Sequence, residues 1–235
     1  MSNFLLSLLF PKYCVGCRRM GKYLCDHCVK AITFITQPIC PMCGRAAIGG
    51  QTHPRCQTPL ALDGLLTPVL FTPTIKALVH QLKYRLVRDL VSCAADLIAT
   101  HQEIARRLGR LHQDHFTLVP VPLHPARQRW RGFNQAAILA EAIGKRYSLP
   151  CQTQFLERIV NTRPQVELAG DKRRANVKGV FQIGHSQNTR IRGQRFILVD
   201  DLFTTGSTMR ECAKVLKRSG AAAVWGLTLA RTGQV

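Results

Sequence analysis

The sequence predicts an α/β protein: a doubly wound parallel sheet preceded by a small cysteine-rich head. Three observations carry this expectation. Apolar strand-like runs alternate with amphipathic helical patterns from about residue 65 onward. The run FILV at 196–199 is wholly apolar and flanked by charge, as expected of a central parallel strand covered on both faces. Seven of the ten cysteines lie before residue 57. With 235 residues, of which 46% are hydrophobic, the chain can bury a sizeable core and carry one appendage. The expected division is a head over residues 1–60 and an α/β domain over 65–235.

The start, MSNFLLSLLFPKYC, has a short apolar run without a basic segment before it or a small-residue cleavage site after it, so it makes a poor signal peptide. No later run is long enough to span a bilayer, and a soluble, cytoplasmic protein is expected.

In the head, six cysteines form C-x-x-C pairs, Cys14/Cys17, Cys25/Cys28 and Cys40/Cys43, and a fourth pair is His53-Pro-Arg-Cys56. A two-residue gap lets both side chains face one ion from a tight turn, and two such knuckles complete a tetrahedron around Zn²⁺. Sequential pairing gives Cys14, Cys17, Cys25 and Cys28 as one site and Cys40, Cys43, His53 and Cys56 as the other. A cross-braced pairing satisfies the same spacings. Four protein ligands leave no vacancy for water, so one or two zinc ions are expected in structural roles. A disulfide framework is disfavoured, because nothing marks the chain for an oxidising compartment.

After a Pro- and Gly-containing connection at 57–68, Thr74 can cap a helix whose apolar positions Ile75, Leu78, Val79 and Leu82 share one face. It ends in Lys83-Tyr84-Arg85. A second helix is expected from about Asp89 toward Leu108. FTLVPVPL at 116–123 reads as a strand, followed by a loop holding Arg127, Arg129, Arg131 and Gly132; Asn134 then caps the helix QAAILAEAIGKR. Beyond FILV, Ser207 or Thr208 caps a helix that stops before Gly220, and AVWGLTLA at 223–230 supplies a last strand. Cys93, Cys151 and Cys212 sit in apolar or helical surroundings that suit ordinary packing.

The chemistry lies in VDDLFTTGST. A buried strand delivers Asp200 and Asp201 to the edge of the sheet. A hydroxyl-rich turn follows, in which Gly206 permits a backbone conformation that aims successive N–H groups inward, and a helix N-terminus adds partial positive charge. Such a turn is an anion nest for one phosphate, and carboxylates beside it suit vicinal hydroxyls, so the combination specifies a sugar phosphate.

FILVDDLFTTGST resembles the phosphoribosyl-pyrophosphate signature of type I phosphoribosyltransferases. Taken with ALVHQLKYR at 77–85, VPVPLHPARQRWRGFNQA at 119–136, TRPQVEL at 162–168 and RRANVKGVF at 173–181, the chain resembles the ComF/GntX family over nearly its whole length. The resemblance implies a type I phosphoribosyltransferase-like sheet behind a double zinc ribbon, and a link to competence, DNA uptake and use of DNA as a nutrient. It implies that Asp200 and Asp201 hold the ribose hydroxyls and that Thr204, Thr205, Gly206, Ser207 and Thr208 surround the 5-phosphate. Arg131 and Gly132 would belong to the pyrophosphate loop, with Arg127 and Arg129 as lesser candidates and Lys83 reaching the same phosphates. A flexible hood would offer Arg163, Gln165, Arg173, Arg174 and Asn176. Mg²⁺ would accompany the ligand. His53 departs from a four-cysteine second knuckle.

Formal charge is +20, from 33 Lys+Arg against 13 Asp+Glu, which points to polyanionic partners. Residues 145–195 hold eleven of the bases and three acids, so this stretch, together with the head, is the expected contact for a nucleic-acid backbone. Three functional expectations follow: a phosphoribosyl-pyrophosphate-binding enzyme or enzyme-like domain, a single-stranded DNA-binding component of uptake machinery at the inner face of the membrane, and a regulator that uses the sugar phosphate as effector without turnover. Aromatics are only 7%, so phosphate contacts should dominate any binding of DNA.

Overall fold

The computed structural model describes residues 11–84, 87–161, 178–184 and 191–233. Arg163, Gln165, Arg173, Arg174 and Asn176 lie outside the described residues, as do the first ten residues and much of the basic 145–195 stretch.

Among its described residues the head contains one short helix, α1 (Asp26–Lys30), and two 3₁₀ turns, Ile48–Gly50 and Pro54–Cys56. Two of its knuckles repeat one geometry at an offset of 26 residues. Arg18 and Gly44, each following a C-x-x-C pair, adopt left-handed backbone at φ 64° and 76°, and each donates its N–H to the carbonyl of the first cysteine, Cys14 or Cys40, at 2.9 Å. Single bridges Tyr13↔Met20 and Ile39↔Ala46 close the two turns.

Strands β1 (Gly64–Leu66) and β2 (Val69–Leu70) lead into helix α2 (Pro73–Tyr84). This helix begins at Pro73, ahead of the predicted Thr74 cap, because proline lacks an N–H to satisfy and its fixed φ suits the first helical position. The single helix expected over 89–108 is two, α3 (Arg88–Thr100) and α4 (Gln102–Gln113). His101 breaks the run: it takes extended backbone, its Nδ1 accepts from Ile104 N at 3.5 Å, and its Nε2 lies 2.8 Å from Ile35 O, in the segment joining the two halves of the head.

Strand β3 (Phe116–Pro120) is followed by α5 (Pro125–Arg131), where the sequence suggests a loop. Pro125 starts the helix, His124 Nδ1 accepts from Ala126 N at 3.2 Å, and Gly132 ends it at φ 82°. As expected, Asn134 caps α6 (Gln135–Tyr147) by accepting from Ala136 N at 3.0 Å. A two-stranded antiparallel ribbon, β4 (Leu156–Arg158) with β5 (Phe181–Ile183), flanks the residues left undescribed. Then come β6 (Arg195–Phe203), α7 (Ser207–Arg218) and β7 (Ala223–Arg231).

The main sheet is parallel, in the order β1-β7-β6-β3, with β2 also pairing β7. Phe196, Ile197, Leu198 and Val199 of β6 are fully buried. Their alternation splits them between two cores. Ile197 and Val199 face α2, α3, α4 and α6, whereas Phe196 and Leu198 face α7 and the β4–β5 ribbon. Gly64 lets β1 approach β7, since a Cβ there would overlap the Trp225 indole. Cys14, Val15, Leu24, Cys28 and Ile32 of the head share the first of these cores, so the head packs directly on the sheet domain. No helix of the described residues is long and apolar enough to cross a membrane.

Candidate functional site

Strand β6 does not stop at its apolar run. It continues through both acids to Phe203, with Asp200 opposite Thr228 of β7. Asp201 is buried and Asp200 partly so. The turn Thr204–Gly206 follows. Gly206 takes φ 73° and is itself the N-cap of α7, so neither Ser207 nor Thr208 caps the helix. Thr205 Oγ1 instead lies 2.7 Å from Ser207 Oγ and accepts from Ser207 N at 3.4 Å, fastening the turn from within. A Cβ on Gly206 would overlap the Phe203 ring, with Cε2 2.7 Å away.

Asp200, Asp201, Thr204, Gly206, Ser207, Thr208 and Lys83 line one open cavity of about 180 Å³. The start of α7 directs its partial positive charge at the same space. Thr205, Arg131 and Gly132 do not line this cavity: Thr205 turns its hydroxyl to Ser207, and Arg131 reaches Asp201 only through Gln135.

A polar chain anchors the acids. Lys83 Nζ, at the end of α2, forms an ion pair with Asp201 Oδ2 at 2.7 Å. Gln135 Nε2 donates to Asp201 Oδ1 at 3.1 Å, and Arg131 Nη1 donates to Gln135 Oε1 at 2.6 Å. Asp200 Oδ1 accepts from Asp201 N at 2.8 Å. The two carboxyls therefore diverge. Burial, then repulsion from Asp201, holds Asp200 well above the usual carboxylate range. Burial also pushes Asp201 upward, but Lys83 and the hydrogen bonds outweigh it and leave Asp201 below that range. Lys83 responds in kind: burial lowers it, and Asp201 more than reverses the effect.

Gln135 went unnoticed in the sequence. Its signal is a polar side chain in an otherwise apolar first turn, buried despite its amide. Arg210 was missed too: its Nε and Nη2 both donate to Pro41 O, at 2.8 and 2.6 Å, tying the first turn of α7 to the Cys40-x-x-Cys43 knuckle.

In the head, Cys14, Cys17, Cys25 and Cys28 bring their sulfurs within 4.8 Å of one another, and so do the ligand atoms of Cys40, Cys43, His53 and Cys56. The grouping is sequential, which excludes cross-bracing. Burial alone would raise the Cys14 thiol, but N–H donors from Cys17, Cys25 and Gly16 bring it down to about 6. Burial and the neighbouring thiols push Cys28 up to about 12. His53 Nδ1 lies 3.3 Å from Cys43 Sγ, while Nε2 sits 2.8 Å from Ala46 O. An imidazole whose far nitrogen donates to a carbonyl presents the other as a ligand.

The architecture is thus that of a phosphoribosyltransferase domain carrying a double zinc ribbon, and comparison with known families agrees. A double zinc ribbon model matches residues 5–57, and a phosphoribosyl transferase domain model matches 132–234. DNA utilization protein YhgH of Escherichia coli (strain K12) is 31% identical over 233 residues, covering 96% of this chain and 99% of that protein. Competence protein F of Haemophilus influenzae is 28% identical, with 92% and 90% covered, and competence protein ComFC of Bacillus subtilis is 28% identical, with 89% and 84% covered. The chain belongs to the ComF/GntX family.

Proposed function

We propose that the cavity between β6 and α7 binds phosphoribosyl pyrophosphate together with Mg²⁺, in a protein that serves the uptake or utilisation of DNA. One observation carries the reading: Asp200, Asp201, Thr204, Gly206, Ser207 and Thr208 line a single open cavity at the start of a helix. Backbone donors of the turn and α7 would take the 5-phosphate, with Asp200 and Asp201 accepting the ribose hydroxyls. Lys83 faces the same space and would meet ligand oxygens while remaining paired to Asp201. Arg131 and Gly132 close the helix beside the cavity, where a pyrophosphate would emerge.

The donor set suits Mg²⁺, because adjacent carboxylates at an open cavity offer hard oxygens and leave room for retained water. Bound there, the ion would offset charge growing on a leaving pyrophosphate. The two head clusters are assigned as structural zinc sites, Cys14/Cys17/Cys25/Cys28 and Cys40/Cys43/His53/Cys56. Thiol clusters of this kind support a reducing, cytoplasmic setting, on the inner face of any uptake machinery.

Calorimetric titration of the zinc-loaded chain with phosphoribosyl pyrophosphate tests the reading. One site per chain is expected with Mg²⁺ present, weakened at least tenfold in Asp200→Asn. Absence of heat, or an affinity untouched by that substitution, overturns it.

A second reading is favoured by the net charge of +20 and by the names of the relatives: the protein also holds single-stranded DNA. Binding would then weaken with salt by about 0.7 log unit per log unit of salt for each phosphate neutralised. A response to salt that is flat sinks it.

A further inference from the structure

Two large aromatic side chains stand in water beside the cavity. Trp130 of α5 is 74% exposed and Tyr84, the last residue of α2, is 51% exposed. They meet edge to face, with centroids 5.9 Å apart and planes at 85°. Arg131 Cζ sits 5.5 Å from the Tyr84 centroid, and the His80 ring packs on Tyr84 at 4.6 Å. Aromatic surface left in water adds nothing to a core, so a contiguous pair of this kind asks for a partner.

The charge around the pair narrows the choice. Lys76, His80 and Tyr84 recur every fourth residue along the exposed side of α2, and α5 carries Arg127, Arg129 and Arg131. Neither helix contains a single acid. An exposed indole on a helix pair whose described residues carry cations and no acids matches a ligand with exposed π-faces and a repeated negative backbone. Double-stranded nucleic acid fails the first requirement, because its bases are already stacked on one another. A free nucleobase lacks the second.

We propose that the face formed by α2 and α5 receives single-stranded nucleic acid, with an unpaired base stacking on Trp130, which Tyr84 braces edge to face, and the arginines of α5 meeting its phosphates. This rests on the second reading above and moves the contact away from residues 145–195 and the head, where sequence charge had put it. The strand would run past the end of α2, whose Lys83 lines the phosphate cavity, so the two ligands would occupy adjoining ground.

The two tryptophans supply the test, because Trp225 is buried and Trp130 is not. Full-length zinc-loaded protein is titrated with end-labelled oligothymidylate, following label anisotropy for binding and intrinsic tryptophan emission for stacking. Binding accompanied by quenching is expected. Trp130→Ala should weaken it roughly 5- to 150-fold, the worth of one stacked base. Trp130→Phe should hold affinity within a few fold while losing the quench, and a duplex of equal length should give no quench. Oligonucleotide that binds without quenching, and equally well to Trp130→Ala, overturns the platform and leaves the DNA reading standing. Absence of any anisotropy change overturns both. Displacement by polyglutamate at equal charge concentration would assign the face to acidic proteins instead.

Discussion

The phosphate turn depends on Gly206 in two separable ways, and Gly206→Ala tests both. At φ 73° an alanine incurs the left-handed backbone cost of about 1–2 kcal/mol. Its Cβ would also overlap the Phe203 ring, which is 5% exposed and packed in the core with Met209, so it cannot swing into solvent. Forcing one methyl into such a core costs about 1–3 kcal/mol. Together these predict a loss of roughly 2–5 kcal/mol, or about 4–20 °C in Tm for a chain of this size. Gly193→Ala is the matched control: it has φ 82° with nothing within 4 Å of the added Cβ, so it bears the backbone cost alone. Urea unfolding of both variants isolates the ring clash, and titration with phosphoribosyl pyrophosphate reads the turn. If Gly206→Ala proves no less stable than Gly193→Ala and binds ligand as the unaltered protein does, the turn is not built as described and the phosphate has lost its cradle.

Lys83→Met leaves Asp201 buried without its cation, and because Gln135 stays in place the loss should fall near the low end for a broken buried pair, about 3 kcal/mol by urea unfolding; a change below about 1 kcal/mol would contradict the pairing. Affinity for the Mg²⁺-bound ligand should rise with pH across the raised range of Asp200, because the free protein carries there a proton that must leave before the carboxylate can accept hydroxyls or a cation. Calorimetry in buffers of different ionisation enthalpy should accordingly register proton release, and proton uptake would refute the assignment. Metal analysis should find two zinc ions per chain, and stripping them with a strong chelator should lower both Tm and ligand affinity; unchanged values would break the link between head and cavity.

The sequence made β6, Gly206 and the Asn134 cap legible because each depends on local chemistry: a continuous apolar run, a residue free at positive φ, a side-chain oxygen one turn from free N–H groups. Helix α5 was hidden because VPVPLHP puts two prolines just before it and a third at its first position, and the helix is only seven residues long. The division at His101 was hidden for the opposite reason. IARRLGRL continues the amphipathic pattern, and what ends α3 is a tertiary contact with Ile35 O. The zinc ligand sets were visible as pairs, while their sequential grouping required the fold. Tyr84 and Trp130 are 46 residues apart and became a site only when α2 and α5 were brought side by side.

The head and the cavity are mechanically one object. Gly16, inside the first knuckle, abuts Thr74 at the start of α2, whose far end presents Lys83. Gly50, in the second half of the head, lies so close to Leu65 O of β1 that even a Cβ would collide. The Cys40-x-x-Cys43 turn receives both donors of Arg210 at Pro41 O, one turn into the helix whose start faces the phosphate. Knuckles of this size do not hold their shape without metal, since the free energy of zinc binding is also their folding free energy. Zinc would therefore act on the ligand site without touching it, by fixing the surfaces against which α2 and α7 rest. Two small metal turns, clamped to the helices on either side of Asp201, allow a nine-residue strand to end in an open cavity and still keep its acids in register.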